Sequence, residues 1–104
     1  MPIRLPSEFI KAGWHYRLVT RKHQTCLFHR SRPDGSEPHY EVHRLVTSKD
    51  RTMPNGTTLP AAEHLAPSES WGSRGWTFSP QTHLDPLEAA KSRFALVIRN
   101  TRPF

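Results

Sequence analysis

The sequence contains one cysteine, Cys26, and no apolar run long enough to span a bilayer. A single cysteine excludes an intramolecular disulfide, and a free cysteine beside Phe28 on the inward face of a strand is expected to be buried and unreactive. A spanning helix needs about 20 consecutive apolar residues, and the N-terminus lacks the apolar stretch of a signal peptide. These absences favour a protein of the reducing cytoplasm with no membrane partner.

Motifs that identify an enzyme are also missing. Ser68, Ser70 and Ser73 stand in no nucleophile-elbow pattern, and no C-x-x-C or H-E-x-x-H spacing marks a metal site. We therefore expect a non-enzymatic binding protein that carries no cofactor and has no catalytic residue.

Acidic residues are few. Nine Asp and Glu stand against fifteen Lys and Arg, which gives a formal net charge of +6. Such a balance favours association with polyanions, nucleic acid first and acidic proteins or membrane surfaces second. The alternative is that the net charge only keeps a small protein in solution.

The length of 104 residues suits a single domain, 1–104. Alternating apolar residues predict strands from residue 14 onward, at 24–30, at 40–47 and at 76–78. Asp85 and Pro86 suit the cap and first position of a helix, and a single helical turn is predicted at 7–12. The fold class is thus α+β, a small antiparallel sheet of three to four strands packed by one C-terminal helix.

Residues 48–72 form the longest stretch without a strand or helix pattern. They are rich in proline and serine and include the turn signal Asn55-Gly56. We predict a long loop at 48–72 within the domain, with one short helical turn at 60–65.

Alternation also assigns the strand faces. The predicted inward side chains are Trp14, Tyr16, Leu18, Cys26, Phe28, Tyr40, Val42 and Val46. The predicted outward side chains are His15, Arg17, Arg21, Thr25, Leu27, His29, Glu41, His43 and Leu45. Helical spacing predicts that Leu87, Phe94 and Val97 pack on the sheet face with Trp14, Tyr16, Phe28 and Val42.

The stretch from Phe9 to Pro33 contains no carboxylate, although it is rich in Lys and Arg. Arginine binds phosphate oxygens in a bidentate manner, so a cationic hairpin face is suited to nucleic acid. The alternative is the solvated face of a half-buried sheet. The predicted nucleic-acid-binding residues are Arg17, Arg21, Lys22, Arg30 and Arg32.

Two further sets of residues have a functional interpretation. A zinc ion could be held by His15, His29, His43 and Glu41 if all four side chains point outward. Because their spacing matches no zinc motif, we expect a solvent-exposed face and no metal. Trp71 is a candidate partner-binding residue. With the 48–72 loop it defines the alternative function, a protein–protein adaptor or an inhibitor such as an anti-defence protein.

Three stretches carry a resemblance: Tyr40-Glu41-Val42, residues 67–78, and Ala89-Ala90 followed by Phe94. The pattern Y-E-V, P-x-x-E-x-W-G-x-x-G-W-T-F, A-x-x-x-F resembles a group of small bacterial proteins of phages and other mobile elements that have no settled activity. The resemblance implies a phage or mobile-element origin and no particular chemistry.

The arrangement of strands followed by an Ala-rich helix also resembles the AP2/integrase-type DNA-binding domain. Residues 75–78 are similar to the last strand of that domain, and Glu88-Ala89-Ala90 to its helix. The resemblance implies that a sheet face docks in the major groove of DNA.

Overall fold

The computed structural model describes residues 3–65 and 75–100. Its main sheet is antiparallel, with five strands in the order β1-β2-β3-β4-β9. These strands are β1 (Glu8–Lys11), β2 (Trp14–Lys22), β3 (Thr25–Ser31), β4 (His39–Arg44) and β9 (Gly75–Phe78). The α+β class is confirmed, but the sheet is larger than the predicted three to four strands.

The additional strand is β1, where the sequence predicts a helical turn at 7–12. Each residue of β1 pairs with β2, from Glu8 with Arg17 to Lys11 with Trp14. Ala12 and Gly13 both have positive φ, 53° and 81°, which is the backbone of a tight hairpin turn. The prediction of a helical turn is wrong because pairing with β2 outweighs the weak capping signal of so short a segment.

Residues 46–65 contain two short antiparallel strand pairs. Strand β5 (Val46–Thr47) pairs with β8 (Glu63–His64), and between them β6 (Arg51–Thr52) pairs with β7 (Thr58–Leu59) around the Asn55-Gly56 turn. The predicted helical turn at 60–65 is therefore wrong, because no helix forms there and Glu63 and His64 pair with β5 as a strand. The rest of the predicted loop, 66–72, lies outside the described residues.

The helix α1 (Pro86–Asn100) begins as predicted. The Asp85 carboxylate accepts a hydrogen bond from the backbone N–H of Glu88 at 3.1 Å, which satisfies one of the unpaired donors of the first turn. No helix in the described ranges is both long and apolar enough to cross a membrane.

The sheet is covered on both sides. The helix face carries Leu27, Val42 and Phe78, which pack with Ala90 and Val97 of α1. The opposite side, which we call the far face, carries Tyr16, Cys26 and Phe28. These are covered by Leu45 and Leu65, and by Leu5 of the N-terminal segment.

The prediction that the helix packs against Trp14, Tyr16 and Phe28 is wrong, whereas the prediction that it packs against Val42 is confirmed. The register places Val42 opposite Leu27, so Val42 and Phe28 project to opposite sides of the sheet. The same alternation places Glu41 and His43 on the far face. Both are predicted to point outward, but they are buried, at 1% and 3% exposed. Leu45, also predicted outward, is buried in the far-face core.

A β-bulge at Val19 changes which residues of β2 share a face. Leu18 pairs with Phe28 and Thr20 with Leu27, and the register shifts between them. An extra residue reverses the alternation beyond it. Arg17 therefore lies on the helix face and Arg21 on the far face, so the prediction that they share a side is wrong.

The stability of the far-face core can be tested at Phe28, which is 1% exposed. Phe28→Ala should lower the free energy of unfolding by about 3–5 kcal/mol, because it removes a large buried ring and leaves a cavity. Leu84→Ala, at a fully exposed leucine, is the control and should change it by less than about 0.5 kcal/mol. Equal denaturant midpoints for the two variants would contradict the packing described.

Cys26 provides a second test. The thiol is buried as predicted, and burial raises its pKa to about 11. Because the thiolate is the reactive form, a thiol reagent should label the native protein at least about 100-fold more slowly than the unfolded protein at pH 8. Rapid stoichiometric labelling of the native protein, with a free-cysteine peptide as reference, would contradict this burial.

Candidate nucleic-acid interface

Arg21 lies on the far face in a bidentate ion pair. Its two terminal nitrogens donate to the Glu63 carboxylate at 2.8 and 2.5 Å. Glu63 also accepts a hydrogen bond from the backbone N–H of Leu5 at 3.0 Å. The hydrogen bond from Arg21 is the main cause of a Glu63 pKa of about 2, and burial opposes it. Arg21 thus ties β8 and the N-terminal segment to β2.

Arg30 is held in a second buried ion pair, with Glu41. The Glu41 carboxylate also accepts hydrogen bonds from His43 at 2.8 Å, from His39 at 3.3 Å and from Thr77 at 3.3 Å. Burial alone would raise the pKa of Glu41, but these bonds and the Arg30 charge outweigh it and hold the pKa at about 2. We call Arg30, His39, Glu41, His43 and Thr77 the Glu41 cluster.

His39 is arranged as a charged imidazolium within this cluster. Its Nδ1 lies 2.9 Å from the Glu37 carbonyl oxygen, and its Nε2 lies 3.3 Å from the Glu41 carboxylate. Both partners are acceptors, so both ring nitrogens must carry a hydrogen. The pKa of His39 is accordingly raised, chiefly by the hydrogen bond to Glu41.

Arg32 lies at the end of β3, beside Trp14. Its guanidinium carbon is 3.7 Å from the centroid of the Trp14 ring, and that of Arg30 is 4.1 Å from the same ring. Arg32 also donates to Glu37 at 2.9 Å. Its side chain stays 40% exposed, so Arg32 is open to solvent but away from Arg17 and Lys22.

Arg17 and Lys22 lie together on the helix face. Arg17 is opposite His29, and Lys22 is opposite Thr25, which is itself opposite Arg44. Neighbouring strands are about 4.8 Å apart, so Lys22 and Arg44 stand about 10 Å apart across the sheet. We call the side chains of this group the basic face: His15, Arg17, Lys22, His29 and Arg44.

The helix leaves the basic face largely uncovered, because α1 packs on β3, β4 and β9. Arg17 is 60% exposed in its side chain, and Lys22 is also exposed. The pKa of His29 is lowered, first by burial and then by the positive charge of Arg17.

Of the predicted nucleic-acid-binding residues, the structure brings together Arg17 and Lys22. It places Arg21 and Arg30 in buried ion pairs and Arg32 at the far end of β3. Arg44, which is not among the predicted residues, lies on the same side of the sheet. The signal for the Glu41 cluster is the alternation of His39, Glu41 and His43 along one strand, a pattern equally typical of an outward face.

The four residues considered for zinc do not lie on one side of the sheet. His15 and His29 belong to the helix face, whereas Glu41 and His43 belong to the far face, because the register pairs Phe28 with Glu41 and His29 with Tyr40. Within residues 3–65 and 75–100, no group of three or more His, Cys, Asp or Glu is arranged to hold a metal ion.

Trp71, the predicted partner-binding residue, lies outside the described residues. The described part of the 48–72 segment contains an open cavity of about 450 Å³ near Leu59 and Pro60. Met53 and Leu59 of the same hairpin are 37% and 36% exposed.

Comparisons with family models, with curated proteins and with solved structures each gave no match to the chain. The function is therefore argued from the geometry of the basic face.

The charge state of the Glu41 cluster can be tested through His39. Since the pKa of His39 is raised in the folded protein, its stabilising contribution is complete below the unfolded value of about 6.5 and is lost as the pH rises through the folded value. His39→Gln should lower the free energy of unfolding by about 1–3 kcal/mol at pH 5.5, the range of a hydrogen bond to a charged group, and by less at pH 9.

The control is His64→Gln, at an exposed imidazole on β8, which measures the effect of replacing a His by Gln outside the Glu41 cluster. Chemical denaturation at both pH values provides the measurement. A cost of His39→Gln that grows from pH 5.5 to pH 9 would contradict a charged His39.

Proposed function

We propose that this protein is a non-enzymatic binding protein that engages nucleic acid through the basic face. The observation that carries the proposal is the position of Arg17 and Lys22 on one side of β2, a strand that the helix leaves open, with Arg44 on the same side of the sheet. Glu8 is the single carboxylate that the strands of the five-stranded sheet project to that side. Spaced cations with few carboxylates between them are the electrostatic footprint of a phosphate-binding surface.

The two buried ion pairs support the proposal by elimination. Arg21 and Arg30 are 13% and 16% exposed in their side chains, and each donates to a carboxylate through a terminal guanidinium nitrogen. Moving either to a phosphate would remove the guanidinium from a buried carboxylate, which costs several kcal/mol. Arg17 and Lys22 neutralise no buried carboxylate, so they are the hairpin cations that are available for a ligand.

Docking of the sheet in a major groove, as in AP2-type domains, has no support here. The far face is covered by Leu5, Leu45 and Leu65, and the helix covers β3, β4 and β9 on the other side. The open surface is the half of the helix face formed by β1 and β2. We place the nucleic-acid backbone along that half, beside α1. A phage or mobile-element origin remains a proposal, which rests on the sequence resemblance alone.

The adaptor function remains the second candidate. Its support is the exposed apolar pair of Met53 and Leu59 beside the open cavity of the hairpin. An apolar interface of this kind would bind a protein partner with little dependence on salt, whereas phosphate binding weakens steeply as salt rises.

The proposal is tested by anisotropy titration of labelled 20-nucleotide single strands and 20-base-pair duplexes between 50 and 250 mM salt. For wild type, the affinity should fall linearly on a log–log plot. Arg17→Ala combined with Lys22→Ala should weaken binding about tenfold or more at 50 mM salt. The duplex slope should flatten by about two, since each phosphate that is no longer neutralised removes roughly 0.9. The melting temperature should barely change, because exposed charges contribute little to stability.

The matched control is Lys49→Ala combined with Arg51→Ala, which removes the same charge from exposed positions near the hairpin. No binding by wild type at 50 mM salt would refute the proposal. Equal losses in the two double variants would show a response to net charge alone and would equally refute a site on the basic face.

A further inference from the structure

Glu8 lies at the β1 edge of the basic face, where it contacts Arg17 and His15 in the way a bound phosphate would. It lies directly opposite Arg17 in the β1–β2 register. One of its oxygens, Oε2, is 3.3 Å from Arg17 Nε and 3.4 Å from His15 Nε2. A single anionic oxygen thus bridges a guanidinium and an imidazole, which is the contact that a phosphodiester oxygen would make with the same two groups.

The pair is exposed and easily broken. The side chains of Glu8 and Arg17 are 62% and 60% exposed, so both remain hydrated, and the His15 side chain beside them is 17% exposed. Exposed ion pairs of this kind are weak and are screened by salt. The two buried carboxylates of the far face, Glu41 and Glu63, differ in this respect, because each is enclosed and hydrogen-bonded on several sides.

We propose that Glu8 is a built-in competitor for phosphate, an autoinhibitory carboxylate that a nucleic-acid backbone must displace from Arg17 and His15 in order to bind. This inference rests on the proposed function and specifies how the same site is regulated.

The test compares Glu8→Gln with Glu88→Gln in the full chain, using the same labelled single strand and duplex at 50 mM salt. Both variants remove one exposed carboxylate, but Glu88 lies on α1 beside Lys91. Glu8→Gln should tighten binding about three- to tenfold, the size expected when a weak competing ion pair with Arg17 and a contact with His15 are weakened. Glu88→Gln should change the affinity less than about twofold. The advantage of Glu8→Gln should shrink toward 250 mM salt, because the competing pairs are screened.

A double-mutant cycle separates competition from a general charge effect. In the Arg17→Ala background, the gain from Glu8→Gln should fall by at least half, because the main group for which Glu8 competes is then absent. If wild type binds but Glu8→Gln gains no more than Glu88→Gln, the inference is overturned and the proposed function stands. If neither wild type nor Glu8→Gln binds at 50 mM salt, the proposed function itself fails. Equal melting temperatures of both variants exclude unfolding as the cause of any change.

Discussion

Strand β3 is buried on both of its sides, and this constraint organises the rest of the structure. Every residue from Thr25 to Phe28 is 3% exposed or less. A single helix can cover one side of a sheet, so the other side requires a second cover. The N-terminal segment and residues 45–65 provide it through Leu5, Leu45 and Leu65. The short pairing β5–β8 lies between Leu45 and Leu65 in the chain and brings these two leucines to the far face, whereas β6 and β7 are exposed.

Burial on two sides also determines the distribution of charge. The far face takes in Glu41 and Glu63, and each carboxylate requires a cation beside it, because an unpaired buried charge is very costly. Arg30 and Arg21 fill these positions. Since each pair of Arg and Glu is neutral, its burial leaves the formal net charge of +6 to the remaining residues of the chain. The positive charge that the composition indicates is therefore real, but it is carried by fewer of the hairpin cations than the sequence suggests.

Local signals in the sequence predict what depends on local physics, such as the capped start of α1 and the burial of Cys26, and both are confirmed. The bulge at Val19 does not follow, because one inserted residue leaves the composition of a strand unchanged and reverses only its later alternation. That residue exchanges Arg21 for Lys22 on the helix face, and with it part of the candidate site. The cover of the far face consists of two-residue strands without periodicity, so a one-sided sheet is the simplest interpretation of the sequence. On that interpretation the polar residues of β4, such as Glu41, are predicted to face solvent. The same alternation is equally compatible with a buried cluster whose members hydrogen-bond to one another.

The Glu63 carboxylate has a consequence for the order in which the chain assembles. Its contacts span 42 residues to Arg21 and 58 residues to Leu5, whereas the β2–β3 and β3–β4 hairpins join near neighbours in the chain. Closing long loops costs entropy before their contacts are made. We therefore expect the hairpins to form early and the far-face cover to close last around Glu63. Weakening the contacts of that carboxylate should then accelerate the opening of the cover more than it slows folding.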